Sequence, residues 1–272
     1  MNEVLRILRA ILLFCLLVGL GQCETEFPWK TKSKAISTLV VDAIITNEMK
    51  PQLVRVTITN ENMNLPSQPV SGLIIAISDS VHQYQLLESP AEAGSYYSIP
   101  FQAVVGKTYT LTITNNSRVY AATASMTAIT PLDTFILEKS SGTGLYSYTP
   151  VWDGEAGMLE VYMDWSAVPA YCATYGHCQA EETFYNLNNV DINKIFGPDK
   201  EIIYFPAGTK LIRRKYSLSE EHQSFLRSLL METAWRGGLF DVQPGNVKSN
   251  ISNGALGFFG ACMVLKDSID VK

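Results

Sequence analysis

The chain has 272 residues, of which 47% are hydrophobic and 17% charged, and its formal net charge is −5 at pH 7. That length is enough for two domains of ordinary size. The acidic balance and the lack of any basic stripe argue against nucleic acid as a partner. Beyond the amino-terminal segment, no apolar run approaches the roughly 20 residues that a spanning helix needs.

The chain opens with MNEVLRILRAILLFCLLVGLGQC. Arg6 and Arg9 form a short positive head, and 11 apolar residues follow from 10 to 20. The run ends at Cys23, and Glu24, Thr25 and Glu26 turn the chain polar. That layout predicts a secretory signal peptide over residues 1–22. Arg6 and Arg9 against Glu3 give this segment +1, so the exported part carries −6. Cys23 directly after the apolar core predicts lipidation, with the protein anchored to a membrane rather than spanning it. Gln22 departs from the small residue that a bacterial lipobox prefers before its Cys. The alternative is ordinary secretion or a periplasmic protein, with cleavage near Gly21 and Cys23 left as a thiol. Residues 23–35 read as an anchor and tether.

Residues 36–128 read as strands. The run 38–45 is rich in β-branched residues, and 53–59 alternates in character, as suits a strand with one buried face. Pro66, Pro69 and Gly72 punctuate the next connection. Short strands are expected at 73–77, 84–87 and 94–99. At 107–114, Tyr109, Leu111 and Ile113 share one face and the threonines the other. Asn115-Asn116-Ser117 turns the chain into a strand at 119–124. About seven short strands without helical period predict an antiparallel β-sandwich, immunoglobulin-like or transthyretin-like in topology.

Residues 129–272 read as a second β-rich region carrying one α-helix. Strands are expected at 134–137, 145–149, 158–165, 202–205 and 210–216. In the third, Leu159, Val161, Met163 and Trp165 alternate with Glu160, Tyr162 and Asp164, which places the acids outward. Cys172 and Cys178 lie in Tyr-Cys-Ala-Thr-Tyr-Gly-His-Cys. In an exported protein this short loop suits a disulfide. Two reduced thiols, or a metal pair using His177, are the alternatives, although such a zinc site lacks a fourth ligand. Neither metal nor cofactor is expected. Cys262, in an apolar run, reads as a buried small residue.

Ser217-Leu218-Ser219-Glu220 fits a capping box and predicts a helix near 218–236 with Ser217 as its cap. Phe225, Leu226, Leu229, Leu230 and Ala234 follow at helical spacing, and Gly237 and Gly238 stop the helix. A Pro244-Gly245 turn, an Asn-rich loop and a buried final strand close the chain.

Catalytic signatures are scarce. His82 falls near a turn, His177 in the Cys loop and His222 on the expected helix. No HExxH, Gly-x-Ser-x-Gly or P-loop is present. Asp153, Glu155, Glu160 and Asp164 cluster in sequence, as glycosidase carboxylates can, but Glu160 and Asp164 fall on a solvated strand face. Binding is therefore expected rather than catalysis. Trp152, Trp165, Tyr171 and Tyr175 are the nearest candidates for a ligand or partner contact.

Several segments carry a family resemblance. They are Leu39-Val40-Val41-Asp42-Ala43-Ile44-Ile45-Thr46-Asn47, Pro69-Val70-Ser71-Gly72 and Gly106-Lys107-Thr108-Tyr109-Thr110-Leu111. Near the end come Gly237-Gly238-Leu239-Phe240, Asn246-Val247-Lys248-Ser249-Asn250 and Gly257-Phe258-Phe259-Gly260. In order and spacing these resemble the outer-membrane lipoproteins of Bacteroidota grouped as domain of unknown function family 4249. The resemblance spans about residues 36–266, and residues 140–208 match nothing within it. It implies a non-catalytic lipoprotein at the outer membrane, surface-exposed if Glu24-Thr25-Glu26 acts as an export signal. It also implies an accessory or binding role beside a TonB-dependent receptor in nutrient uptake. A structural or adhesive envelope protein without a transporter partner is the alternative.

Overall fold

A computed structural model describes residues 37–60, 65–188, 192–198, 201–237 and 245–272. The expected signal peptide, the tether and Cys23 lie outside the described residues, as do Gly238, Leu239, Phe240 and Pro244. Ser37–Lys272 forms one compact unit.

The protein is mainly β. The first strands are β1 (Leu39–Thr46), β2 (Lys50–Ile58), β3 (Gln68–Pro69), β4 (Ile74–Ser78), β5 (Gln83–Ser89), β6 (Glu92–Phe101), β7 (Thr108–Asn115) and β8 (Arg118–Ser125). They follow the apolar runs of the sequence because alternate side chains can be buried on one face. Val41, Ala43, Ile45, Val54, Val56, Ile75, Ile77, Tyr109, Leu111 and Ile113 fill a common core. The buried Gln52 is paired: its carboxamide accepts from Thr46 N–H at 3.0 Å and donates to Phe101 O at 2.8 Å. An unpaired amide would cost about 1–3 kcal/mol.

The second half adds β9 (Leu137–Lys139), β10 (Tyr146–Tyr148), β11 (Gly157–Asp164), α1 (Pro169–Tyr175), β12 (Gln179–Asn186), α2 (Ile192–Ile195), β13 (Lys210–Ser217), α3 (Glu220–Glu232), β14 (Leu256–Cys262) and β15 (Val264–Asp270). The sheet orders are β14-β1-β2-β6-β5-β4-β7-β8, with β3 on β2; β10-β9; and β12-β11-β13-β15. The first sheet is thus one continuous ladder folded over its core. β14 enters it parallel to β1, with Val41 opposite Gly257 and Ile45 opposite Ala261. A division at 128/129 therefore does not separate the sheets, because residues 256–262 belong to the first one. After Cys262 the chain runs one residue further and continues as β15 in the other sheet.

Residues 202–205 form no strand; only Phe205 makes an isolated bridge, with Tyr146. Conversely, residues 169–187 resolve into α1 and β12. The cap of α3 is Ser219, whose hydroxyl accepts from His222 N–H at 3.3 Å. Ser217 remains in β13, where its hydroxyl accepts from Met263 N–H at 2.8 Å. Glu220 and Glu221 occupy the first turn of α3, where carboxylates favour the helix dipole. The buried residues of α3 are His222, Leu226 and Leu230. Phe225 and Leu229 are half-buried and Ala234 is exposed, so the apolar face is narrower than its spacing predicts.

Candidate functional site

Three of the four candidate aromatics meet at the far end of β11. Trp165 follows that strand and is buried; its Nε1 donates to His177 O at 2.9 Å. α1 begins with Pro169 and closes with Gly176 N–H donating to Cys172 O at 2.8 Å. Pro suits the first helical turn because its missing N–H has no helical partner to lose. Cys172 and Cys178 are joined by a disulfide, which ties α1 to the start of β12. This staple holds Tyr171 edge-on to Trp165, with ring centres 5.7 Å apart. Tyr175 lies 4.4 Å from Tyr171, centre to centre. The Tyr171 hydroxyl donates to Tyr204 O at 2.6 Å. Burial, followed by the neighbouring Tyr175, pushes the Tyr171 phenol up to about 12.

Trp165 is therefore a core residue behind a ledge, and the ledge itself is Tyr171 and Tyr175. The backbone of Tyr204 meets it through that hydrogen bond, and Tyr204 and Ile202 are exposed. Sequence reading missed this pair because residues 202–205 read as a strand. Trp152 does not join the group. It packs over Gly157, at the opposite end of β11, about 25 Å away along an extended strand.

A second concavity lies beside α3. It has a volume of about 190 Å³ and is walled by Glu221, Ser224, Phe225, Lys248, Asn250 and Phe258. Its floor is a stack in which Phe225 and His222 each lie 4.7 Å from Phe258. Asn250 is used internally: its amide accepts from Phe259 N–H at 3.0 Å and donates to Phe259 O at 2.8 Å. Asn253 donates to Val119 O at 2.6 Å, and Ser252 N–H to Ala121 O at 2.8 Å. The Asn-rich loop thus laces the open edge of β8 to the segment that leads into β14.

The acidic residues singled out in the sequence are held by hydrogen bonds within the fold. Thr130 donates through its hydroxyl to Asp153 and through its N–H to Glu155 at 2.8 Å. Glu160 accepts from the Tyr216 hydroxyl at 2.5 Å, and Asp164 from Ser166 N–H at 2.9 Å. His222 Nδ1 lies 3.6 Å from the Cys262 thiol, with both residues buried. Burial lowers His222 to about 4 and raises Cys262 to about 12. The pair is neutral near pH 7, so Cys262 is not an activated thiolate. Among the described residues, no three His, Cys, Asp or Glu side chains converge as a metal site.

The family model described as domain of unknown function (DUF4249) matches residues 24–268. The chain belongs to the DUF4249 family. Within it, the loop at 246–253 and the strand at 256–262 are structural: the first closes the folded sheet and the second pairs with β1. No curated protein matches the chain significantly. Among solved structures, the FN1–FN3 domains of chicken CNTN1 align at 9% identity and a TM-score of 0.31. That alignment covers 68% of this DUF4249 chain and 62% of the other.

Proposed function

We propose that this protein is a non-catalytic lipoprotein of the outer membrane, held by a lipid on Cys23. It serves as a binding or accessory subunit beside a TonB-dependent receptor in nutrient uptake. The observation that supports a binding role is the ledge of Tyr171 and Tyr175, fixed by a disulfide, backed by Trp165 and tied through the Tyr171 hydroxyl to the carbonyl of exposed Tyr204. Exposed tyrosines on a rigid support offer contact area at little entropic cost, because few rotamers are lost on binding. A pull-down from native outer membranes with the full chain should retain a receptor. A Tyr175→Ala/Tyr204→Ala variant of unchanged stability should retain much less. Retention of no receptor by the full chain, where such receptors are abundant, overturns the transporter role and leaves a structural envelope role ahead. A receptor retained equally by both chains moves the contact away from the ledge.

A further inference from the structure

The hollow beside α3 is kept open by the elements around it. His222, Leu226 and Leu230 are the buried residues of that helix. Phe225 is only half-buried and faces the loop at 248–250 across the hollow. Its ring lies over that of Phe258, 4.7 Å between centres and 15° from parallel. The walls are tied to one another. Lys248 N–H donates to Ser228 Oγ at 2.9 Å, and the Lys248 ammonium to Ser224 Oγ at 2.7 Å. Asn250 holds both backbone groups of Phe259, and Ile251 N–H donates to Ser249 Oγ at 3.2 Å. Loop, helix and strand thus frame a preformed space of about 190 Å³. A site already in its binding shape loses little entropy when a ligand enters.

An apolar cavity of about 150 Å³ is enough for one benzene ring. A second hollow of about 120 Å³ adjoins the first, sharing Glu221, Asn250 and Phe258 and adding the hydroxyl groups of Thr123, Ser125 and Ser219. The space is therefore ring-sized over the phenylalanines and polar beside Glu221.

The rim of the first hollow carries one charge of each sign, Glu221 and Lys248. Glu221 and Ser224 stand one turn apart on α3, with Cβ atoms about 5–6 Å from each other, and the Lys248 ammonium sits at Ser224. The two charges do not pair with each other, and neither has an ion-pair partner among the described residues. A ligand with only an ammonium would be repelled by Lys248, and one with only a carboxylate by Glu221. A ligand carrying both groups on one carbon meets the two at once, with a charge-assisted hydrogen bond of about 2.7–2.9 Å at each end.

We propose that this hollow binds a free α-amino acid with an aromatic side chain. The ring lies against Phe225 and Phe258, where aromatic rings attract beyond the area they bury. The ammonium meets Glu221 and the carboxylate meets Lys248. The site is separate from the tyrosine ledge and needs neither the lipid nor a receptor.

Isothermal titration of the purified full chain tests this. L-phenylalanine should bind. N-acetyl-L-phenylalanine and L-phenylalaninamide, each lacking one charge, should bind about tenfold more weakly or worse, as should L-alanine, which lacks the ring. Glu221→Gln and Lys248→Met should each lower the affinity for L-phenylalanine about tenfold or more, with thermal midpoints little changed. Glu138→Gln, exposed on β9, should leave the affinity as it is. No binding of L-phenylalanine at millimolar concentration overturns the proposal. So does an affinity shared by the acetylated or amidated form, or one that either rim substitution leaves intact.

Discussion

Gly257 tests the insertion of β14 beside β1. Its φ is +92°, and a Cβ built there would lie 1.9 Å from Val41 O and 2.8 Å from Val41 N. Both neighbours are backbone, so no side chain can swing aside. Gly254 provides the control, with a φ of +76° and nothing within 4 Å of a built Cβ. Gly254→Ala should therefore cost only the backbone penalty of a left-handed alanine, about 1 kcal/mol. Gly257→Ala incurs the same penalty and must also push β14 away from β1. That separation weakens two or three ladder hydrogen bonds at about 1 kcal/mol each and opens the core around Phe259 and Ala261. The expected total is about 4 kcal/mol, a large share of the stability of an ordinary domain. Urea denaturation followed by tryptophan fluorescence measures both variants, with stability read from the midpoint and slope. If Gly257→Ala costs no more than Gly254→Ala, the close approach of β14 to Val41 is wrong.

Ser219→Ala should destabilise by about 1 kcal/mol, and Ser219→Asp should recover most of it, because a carboxylate caps equally well; a neutral Ser219→Ala in thermal unfolding would remove Ser219 as the cap. Leu230→Ala should cost about 2–5 kcal/mol as a buried residue of α3, and the half-buried Leu229 clearly less when truncated in the same way; equal losses in chemical denaturation would contradict the assigned face. His222 titrates at about 4 in the folded chain, below its ordinary value of 6.5. The unfolded chain therefore binds the extra proton between those values, and stability falls as pH drops from about 6.5 to 4, by about 3 kcal/mol from this group. His222→Phe should flatten that part of the pH–stability curve, and an unchanged slope would show that the imidazole is not buried.

Local pattern was enough wherever one face of a strand is buried and the other wet. Tyr109, Leu111 and Ile113 in β7, and Leu159, Val161, Met163 and Trp165 at β11, announce their inward side by alternation alone. The mainly β class and most strands up to residue 125 follow from such runs. β12 escaped this reading because Gln179–Asn186 is a sheet edge, with six of its eight residues only half-buried and no clean alternation. The residues 202–205 misled in the other direction, since Ile202 and Tyr204 are apolar yet exposed.

Tertiary structure decided what local pattern leaves degenerate. Two serines, Ser217 and Ser219, could each cap α3; the pairing of Ser217 with Gly157 prolongs β13 and leaves the cap to Ser219. Nothing near Leu256 announces that β14 will lie parallel to a strand more than 200 residues earlier, because such pairing depends on distant partners rather than on neighbours in the chain. Among the candidate aromatics, the sequence supplied Trp165, Tyr171 and Tyr175 as residue types. The packing of α1 against Trp165, under the Cys172–Cys178 bond, made one a core residue and two a ledge, because burial is set by what surrounds a side chain and not by its identity.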